Sequence, residues 1–152
     1  MSEMECGRAS TDGSAMMKVL LLGSRVVLGT VFIASGILKL TSPDKAVEFI
    51  ESVLSMDLEA SWIVIVLTSI FEIALGAAFL LLTERVRLAA LISGSMMLVF
   101  TSLGVVEIGS AKSCGCFGDL FDSKTDEFFL ARNLVLLIIS MFLVRYHPHS
   151  SR

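Results

Sequence analysis

The sequence predicts an all-α membrane protein: a bundle of four transmembrane helices with a short interfacial amphipathic helix after the first span. Three observations predict it. Of 152 residues, 55% are hydrophobic and only 18% charged, where a soluble domain carries about 25% charged residues. The mean hydropathy is +0.82. The apolar residues also come in runs near the ~20 residues that a bilayer core requires, with charges confined to the caps and loops between them.

Met1 to Met17 is polar, with Gly7, Ser10, Gly13 and Ser14, and reads as a disordered N-terminal tail. Its acidic residues, Glu3, Glu5 and Asp12, do not suit a secretory signal, which needs a basic n-region and a short apolar core. The apolar run that follows reads as a retained anchor. Met16 and Met17 directly precede it, so the chain's biological start is a candidate for that position. Residues 18–145 form the expected membrane domain and 146–152 a polar C-terminal tail.

Four spans are predicted: Val19–Leu38, Trp62–Leu82, Leu88–Val106, and a fourth from Phe128 to Val144 that carries Arg132 and Asn133 in its first turns. Between the first two, Ser42-Pro43-Asp44 opens a helix, with Ser42 as its cap. Val47, Ile50, Leu54 and Leu58 recur there at helical spacing, with Glu48, Glu51 and Asp57 between them. Such a helix suits the membrane interface. Thr83–Arg87 leaves room only for a tight turn between antiparallel helices.

Arg85, Arg87, Lys18 and Arg145 favour one side of the membrane as cytoplasmic, against Lys39, Lys112 and Lys124 on the other. This predicts an inner-membrane, multi-pass chain with both termini inside and the Glu107–Glu127 loop outside. No basic block with interleaved aromatics suggests a nucleic-acid surface. The expected surroundings are the lipid bilayer and a protein partner.

Two charges fall where lipid is expected, and a charge facing lipid costs several kcal/mol, so both should face the bundle interior. Arg25 shares a helical stripe with Gly29, Phe32, Gly36 and Lys39, and Glu72 shares one with Gly76 and Phe79. With antiparallel helices Arg25 is placed ~10 Å and Glu72 ~15 Å from the cytoplasmic edge. An Arg25–Glu72 ion pair is expected, with lining of a quinone or proton site as the functional alternative.

The chemistry concentrates in Ser113-Cys114-Gly115-Cys116-Phe117-Gly118-Asp119. A Cys-x-Cys bridge is tighter than the unstrained range for disulfides, and strain raises the reduction potential. Gly115 permits the backbone angles of so small a ring, and Gly118 allows a further sharp turn. Lys112 favours the thiolate and Asp119 opposes it. The spacing suits a redox relay, while a structural pair or a permanent staple stays open. A zinc site needs about four ligands; His147 and His149 lie across the membrane from the cysteines in this topology, so no metal is assigned. Cys6, in a reducing compartment, reads as a bystander.

Arg25-x3-Gly29-x2-Phe32-x3-Gly36-x2-Lys39-Leu40, with Pro43, resembles the opening of DoxX-like membrane proteins. Ser113-Cys114-Gly115-Cys116-Phe117-Gly118, followed by Ala131-Arg132-Asn133, is similar to their methylamine-utilisation branch, MauE, and Glu72-x3-Gly76 also fits. The resemblance implies a four-helix inner-membrane protein linked to thiol redox or to maturation of periplasmic proteins, with methylamine dehydrogenase maturation as the precedent. The long polar N-terminal tail departs from the family pattern.

Three functions are open on these residues. The first is a thiol–disulfide redox component, with Cys114 and Cys116 as the redox pair, Gly115, Gly118, Arg132 and Asn133 supporting it, and a periplasmic thioredoxin-like protein or thiol-containing client as partner. A quinone is the candidate second electron partner, by analogy with DsbB and vitamin K epoxide reductase-like proteins, which typically use a second cysteine pair that this chain lacks. The second is a non-catalytic membrane assembly factor whose cysteine pair is structural. The third is a small transporter with Arg25 and Glu72 along its path.

Overall fold

The computed structural model describes residues 3–106 and 127–146, and their side chains from Ala15 onward except at a few helix-end positions. Five helices make up these residues: α1 (Glu3–Thr41), α2 (Asp44–Leu54), α3 (Leu58–Leu81), α4 (Val86–Val106) and α5 (Glu127–Tyr146). There is no strand among them. Stretches long and apolar enough to cross a membrane occur in three: Ala15–Thr41, Leu58–Leu81 and Val86–Leu103. The polar N-terminal segment, expected as a disordered tail, is helical from Glu3 and continuous with the first span. No proline precedes Pro43, and extending an existing helix lacks the entropic cost of nucleating one.

The long helices form two intimate antiparallel pairs, α1 with α3 and α4 with α5. Contacts of α1 with α5 and of α3 with α4 close the bundle. Glycine sets the first pair. A Cβ added to Gly76 would stand 2.7 Å from the Gly29 carbonyl oxygen, and one on Gly36 would stand 2.7 Å from that of Ser69. The backbones touch there, which fixes the register of α1 on α3. Leu28, Phe32, Leu75, Phe79, Ala90 and Leu143 fill the centre, with Phe32 and Phe79 stacked at a centroid distance of 6.3 Å. The outer faces present Leu22, Leu67, Ile70, Leu98, Ile138 and Met141. An apolar exterior of this extent marks a chain whose solvent is lipid.

The amphipathic helix between the first two spans is present as α2, with one change of face. Its N-cap position is Pro43, without a side-chain cap, and Ser42 instead continues the α1 ladder through its N–H to Leu38 O at 2.9 Å. Ala46, Val47, Phe49 and Ile50 are buried, packed with Ile65 of α3. Leu54 and Leu58 are exposed. Ser55 turns left-handed (φ 51°) and ends the helix, so Leu58 opens α3 and cannot share the α2 stripe. The apolar face of α2 thus closes over one end of the bundle, with Leu103 and Leu130 beside it.

Candidate functional site

Beneath α2 lies a buried charge pair. Lys39, in the last turn of α1, is 4% exposed, and Glu72, mid-way along α3, is 1% exposed. The Lys39 ammonium donates to Glu72 Oε1 and, at 3.4 Å, to Ser35 Oγ one turn earlier. Its Nζ also stands 5.2 Å from the Phe100 ring centroid, so α4 contributes a cation–π face to the same charge. The second carboxylate oxygen, Glu72 Oε2, is buried and accepts no hydrogen bond from the described residues.

Glu72 also lines a cavity of about 20 Å³, together with Ser35, Lys39, Phe100, Arg132 and Asn133. This is room for one water molecule, and Val31, Phe32, Met97 and Leu136 make most of the remaining wall apolar. From α5, the Asn133 amide donates to Thr101 Oγ1 of α4 at 3.2 Å, and Arg132 makes a long 3.5 Å contact to Asn133 Oδ1. On the other side of Lys39, a groove of about 630 Å³ runs between α2, α3 and α4, walled by Phe49, Ile50, Ile65, Phe71 and Phe100. Lys39 therefore stands between a small cavity and a large apolar groove.

The expected Arg25–Glu72 pair is not formed. Arg25 donates through Nε and an Nη to the Phe79 carbonyl at 3.1 and 3.0 Å, and reaches Thr83 Oγ1 at 3.5 Å. Phe79 lies in the last turn of α3, where carbonyls lack helical partners and a cation meets the negative end of the helix dipole. Arg25 is thus a C-cap for α3. The contact of Gly29 with Gly76 explains the change: Arg25 is level with about Leu80, some ~12 Å along the axis from Glu72. Lys39 lies ~9 Å to the other side, and two long side chains close that gap. Its place on the stripe of Arg25, Gly29, Phe32 and Gly36 was the available signal.

Cys114, Cys116, Gly115 and Gly118 lie outside the described residues, as do His147 and His149. The cysteines fall in residues 107–126, between α4 and α5, two helices that Asn133 and Thr101 join to each other. No group of three or more His, Cys, Asp or Glu side chains suited to a metal occurs among the described residues.

The sequence profile of the family described as methylamine utilisation protein MauE matches residues 17–146, from the start of the first span to the end of α5. The chain belongs to the MauE family. The buried Lys39–Glu72 pair, the Gly29–Gly76 contact and the cysteine segment all fall within the matched stretch. No curated protein and no solved structure matches the chain. Membership in the MauE family, with three helices of spanning length and hydropathy, makes this a membrane protein related to methylamine utilisation. The MauE resemblance is therefore borne out, while the match is silent on the wider DoxX-like grouping.

Proposed function

We propose that this MauE-family protein is an inner-membrane thiol–disulfide redox component serving the maturation of periplasmic or exported proteins, with methylamine dehydrogenase as the family precedent. In this reading α5 is the fourth span, since its 20 residues reach ~30 Å, the thickness of a bilayer core. Both termini are cytoplasmic, on the side marked by Lys18, Arg85, Arg87 and Arg145, and Cys114 and Cys116 lie on the opposite side. α2 lies at that outer interface.

The observation that carries the reading is the convergence of one bundle end. The helices that flank the dithiol segment, α4 and α5, are held together by Asn133 and Thr101 near the buried Lys39–Glu72 pair and the groove beside it. The reaction is an exchange. A client dithiol gives two electrons and two protons to the Cys114–Cys116 disulfide, leaving an oxidised client and a reduced Cys114/Cys116 pair. Regeneration returns the same two electrons and two protons to an acceptor. A quinone fits that role: apolar walls and the Phe100 ring suit a flat hydrophobic head, and the Lys39 ammonium is a donor at its edge.

Covalent capture tests this. Cys114→Ser and Cys116→Ser variants leave one thiol without its resolving partner, so one of them should accumulate a mixed disulfide with a thioredoxin-like protein or client, visible on non-reducing gels. If neither variant captures anything and client maturation proceeds normally in both, the redox reading fails. Normal maturation that depends on the rest of the chain would then favour the non-catalytic assembly factor.

A further inference from the structure

The α4–α5 pair carries a second groove, on the outer side of the bundle and away from Lys39. Its volume is about 590 Å³, and its floor is small: Ala90, Gly94 and Ser140. The floor is tightly built. Ser140 Oγ donates to the Ala90 carbonyl at 2.6 Å and meets Ser93 Oγ at 2.7 Å, so the serines satisfy one another within the helix pair. The walls are Leu91, Leu98, Leu137 and Met141.

One end of this groove is cationic. Arg87, in the first turn of α4, and Arg145, in the last turn of α5, both line it. The antiparallel register brings these two helix ends level, as Ala90 meets Ser140 one turn further in. Arg145 also lies 5.9 Å from the Tyr146 ring, an aromatic of the kind that settles at headgroup depth. A guanidinium has five N–H donors, so contacts made elsewhere leave others for a phosphate. Lys18 and Arg85 belong to the same end, and Glu84 is its acidic neighbour.

The dimensions match one leaflet. From Arg87 to Leu98 the groove follows eleven residues of helix, about 16 Å, which is half of the ~30 Å hydrocarbon core. A phosphate held at the arginines would lie at the membrane surface, and an acyl chain would run down over Gly94 towards the midplane.

We propose that the α4–α5 groove is a binding site for one anionic glycerophospholipid, its phosphate on Arg87 and Arg145 and one acyl chain along Ala90, Gly94 and Leu98. Charge complementarity selects the occupant: a zwitterionic lipid offers the same chain but a cancelling headgroup charge, and a second copy of the chain would bring its own arginines to the same place. The site is separate from the dithiol chemistry and stands whether or not that reading does.

Native mass spectrometry of the full chain in mild detergent tests the site, with phosphatidylglycerol and phosphatidylcholine offered at equal concentration. The unmodified protein should retain one phosphatidylglycerol at least tenfold better than phosphatidylcholine, and inorganic phosphate should not displace it. Arg87→Gln/Arg145→Gln should abolish the headgroup preference. Gly94→Leu, which leaves the arginines in place but fills the groove where an added Cβ meets Ser140 Oγ at 3.5 Å and Leu137 Cδ1 at 3.8 Å, should weaken retention of both lipids. The comparison on the unmodified chain needs no variant to fold. Equal retention of the two lipids, displacement by inorganic phosphate, retention unchanged by Gly94→Leu, or a lipid-free dimer would each overturn the proposal.

Discussion

Lys39 and Glu72 are joined across α1 and α3 with almost no exposure of either side chain, and both line a cavity the size of a single water. A buried pair of this kind is costly to break by halves, because the remaining charge has lost its partner but not its low-dielectric surroundings. Replacing both charges is a milder change. Glu72→Leu and Lys39→Met should each destabilise the protein by about 3–5 kcal/mol, whereas Lys39→Met/Glu72→Leu should recover most of that loss. Equilibrium unfolding in mixed micelles measures all three. Additive losses in the double variant would show that the two residues act independently.

Arg25 answers to a different partner and should behave accordingly. Arg25→Met removes the guanidinium from the Phe79 carbonyl and should cost about 1–2 kcal/mol, the range of a charge-assisted cap. In a double-mutant cycle with Glu72→Gln the coupling should stay within about 0.5 kcal/mol, as for separated sites. A strong coupling would restore the ion pair expected from the sequence.

The contact of α1 with α3 predicts opposite outcomes for two glycines. Gly76→Ala drives a Cβ to 2.7 Å from the Gly29 carbonyl, a backbone atom that cannot swing aside, so the helices must part at a cost of about 1–3 kcal/mol. A Cβ at Gly23 meets nothing within 4 Å, and Gly23→Ala should stabilise by about 0.5–1 kcal/mol through helix propensity alone. The same unfolding measurement separates them by sign.

Asn133 holds the entry of α5 to α4 through Thr101. Asn133→Ala should cost about 0.6–1.7 kcal/mol, the range of interhelical side-chain hydrogen bonds in membranes. If the bond positions the dithiol segment, Asn133→Ala should also slow alkylation or exchange at Cys114 and Cys116. Thr101→Val should reproduce both effects, and Thr101→Ser should spare them.

Much of this bundle was legible from hydropathy. The runs at Val19–Leu38, Trp62–Leu82 and Leu88–Val106 lie within α1, within one residue of α3, and within α4. The small residues at 29, 36 and 76 marked the helix contact. What a single sequence did not yield was register. Hydropathy locates Arg25, Lys39 and Glu72 along their own helices, but only the touching backbones at Gly29 and Gly76 decide which charge stands opposite which. The Phe100 contact to Lys39 was unreadable for the same reason, since it depends on how α4 rotates against α1. Leu54 and Leu58 misled because the left-handed turn at Ser55 breaks a stripe whose spacing alone looks continuous.

In the proposed function Cys114 and Cys116 cycle between dithiol and disulfide on the outer side of the membrane. The most direct measurement is thiol alkylation in intact cells with a membrane-impermeant, mass-tagged maleimide, with and without prior reductant. Cys6→Ser removes the third cysteine from the count. A cycling pair should give no tag before reduction and two tags after it, with a tagged fraction that rises when the electron acceptor is withheld. Two tags under all conditions, or no tag even after reduction, would contradict it.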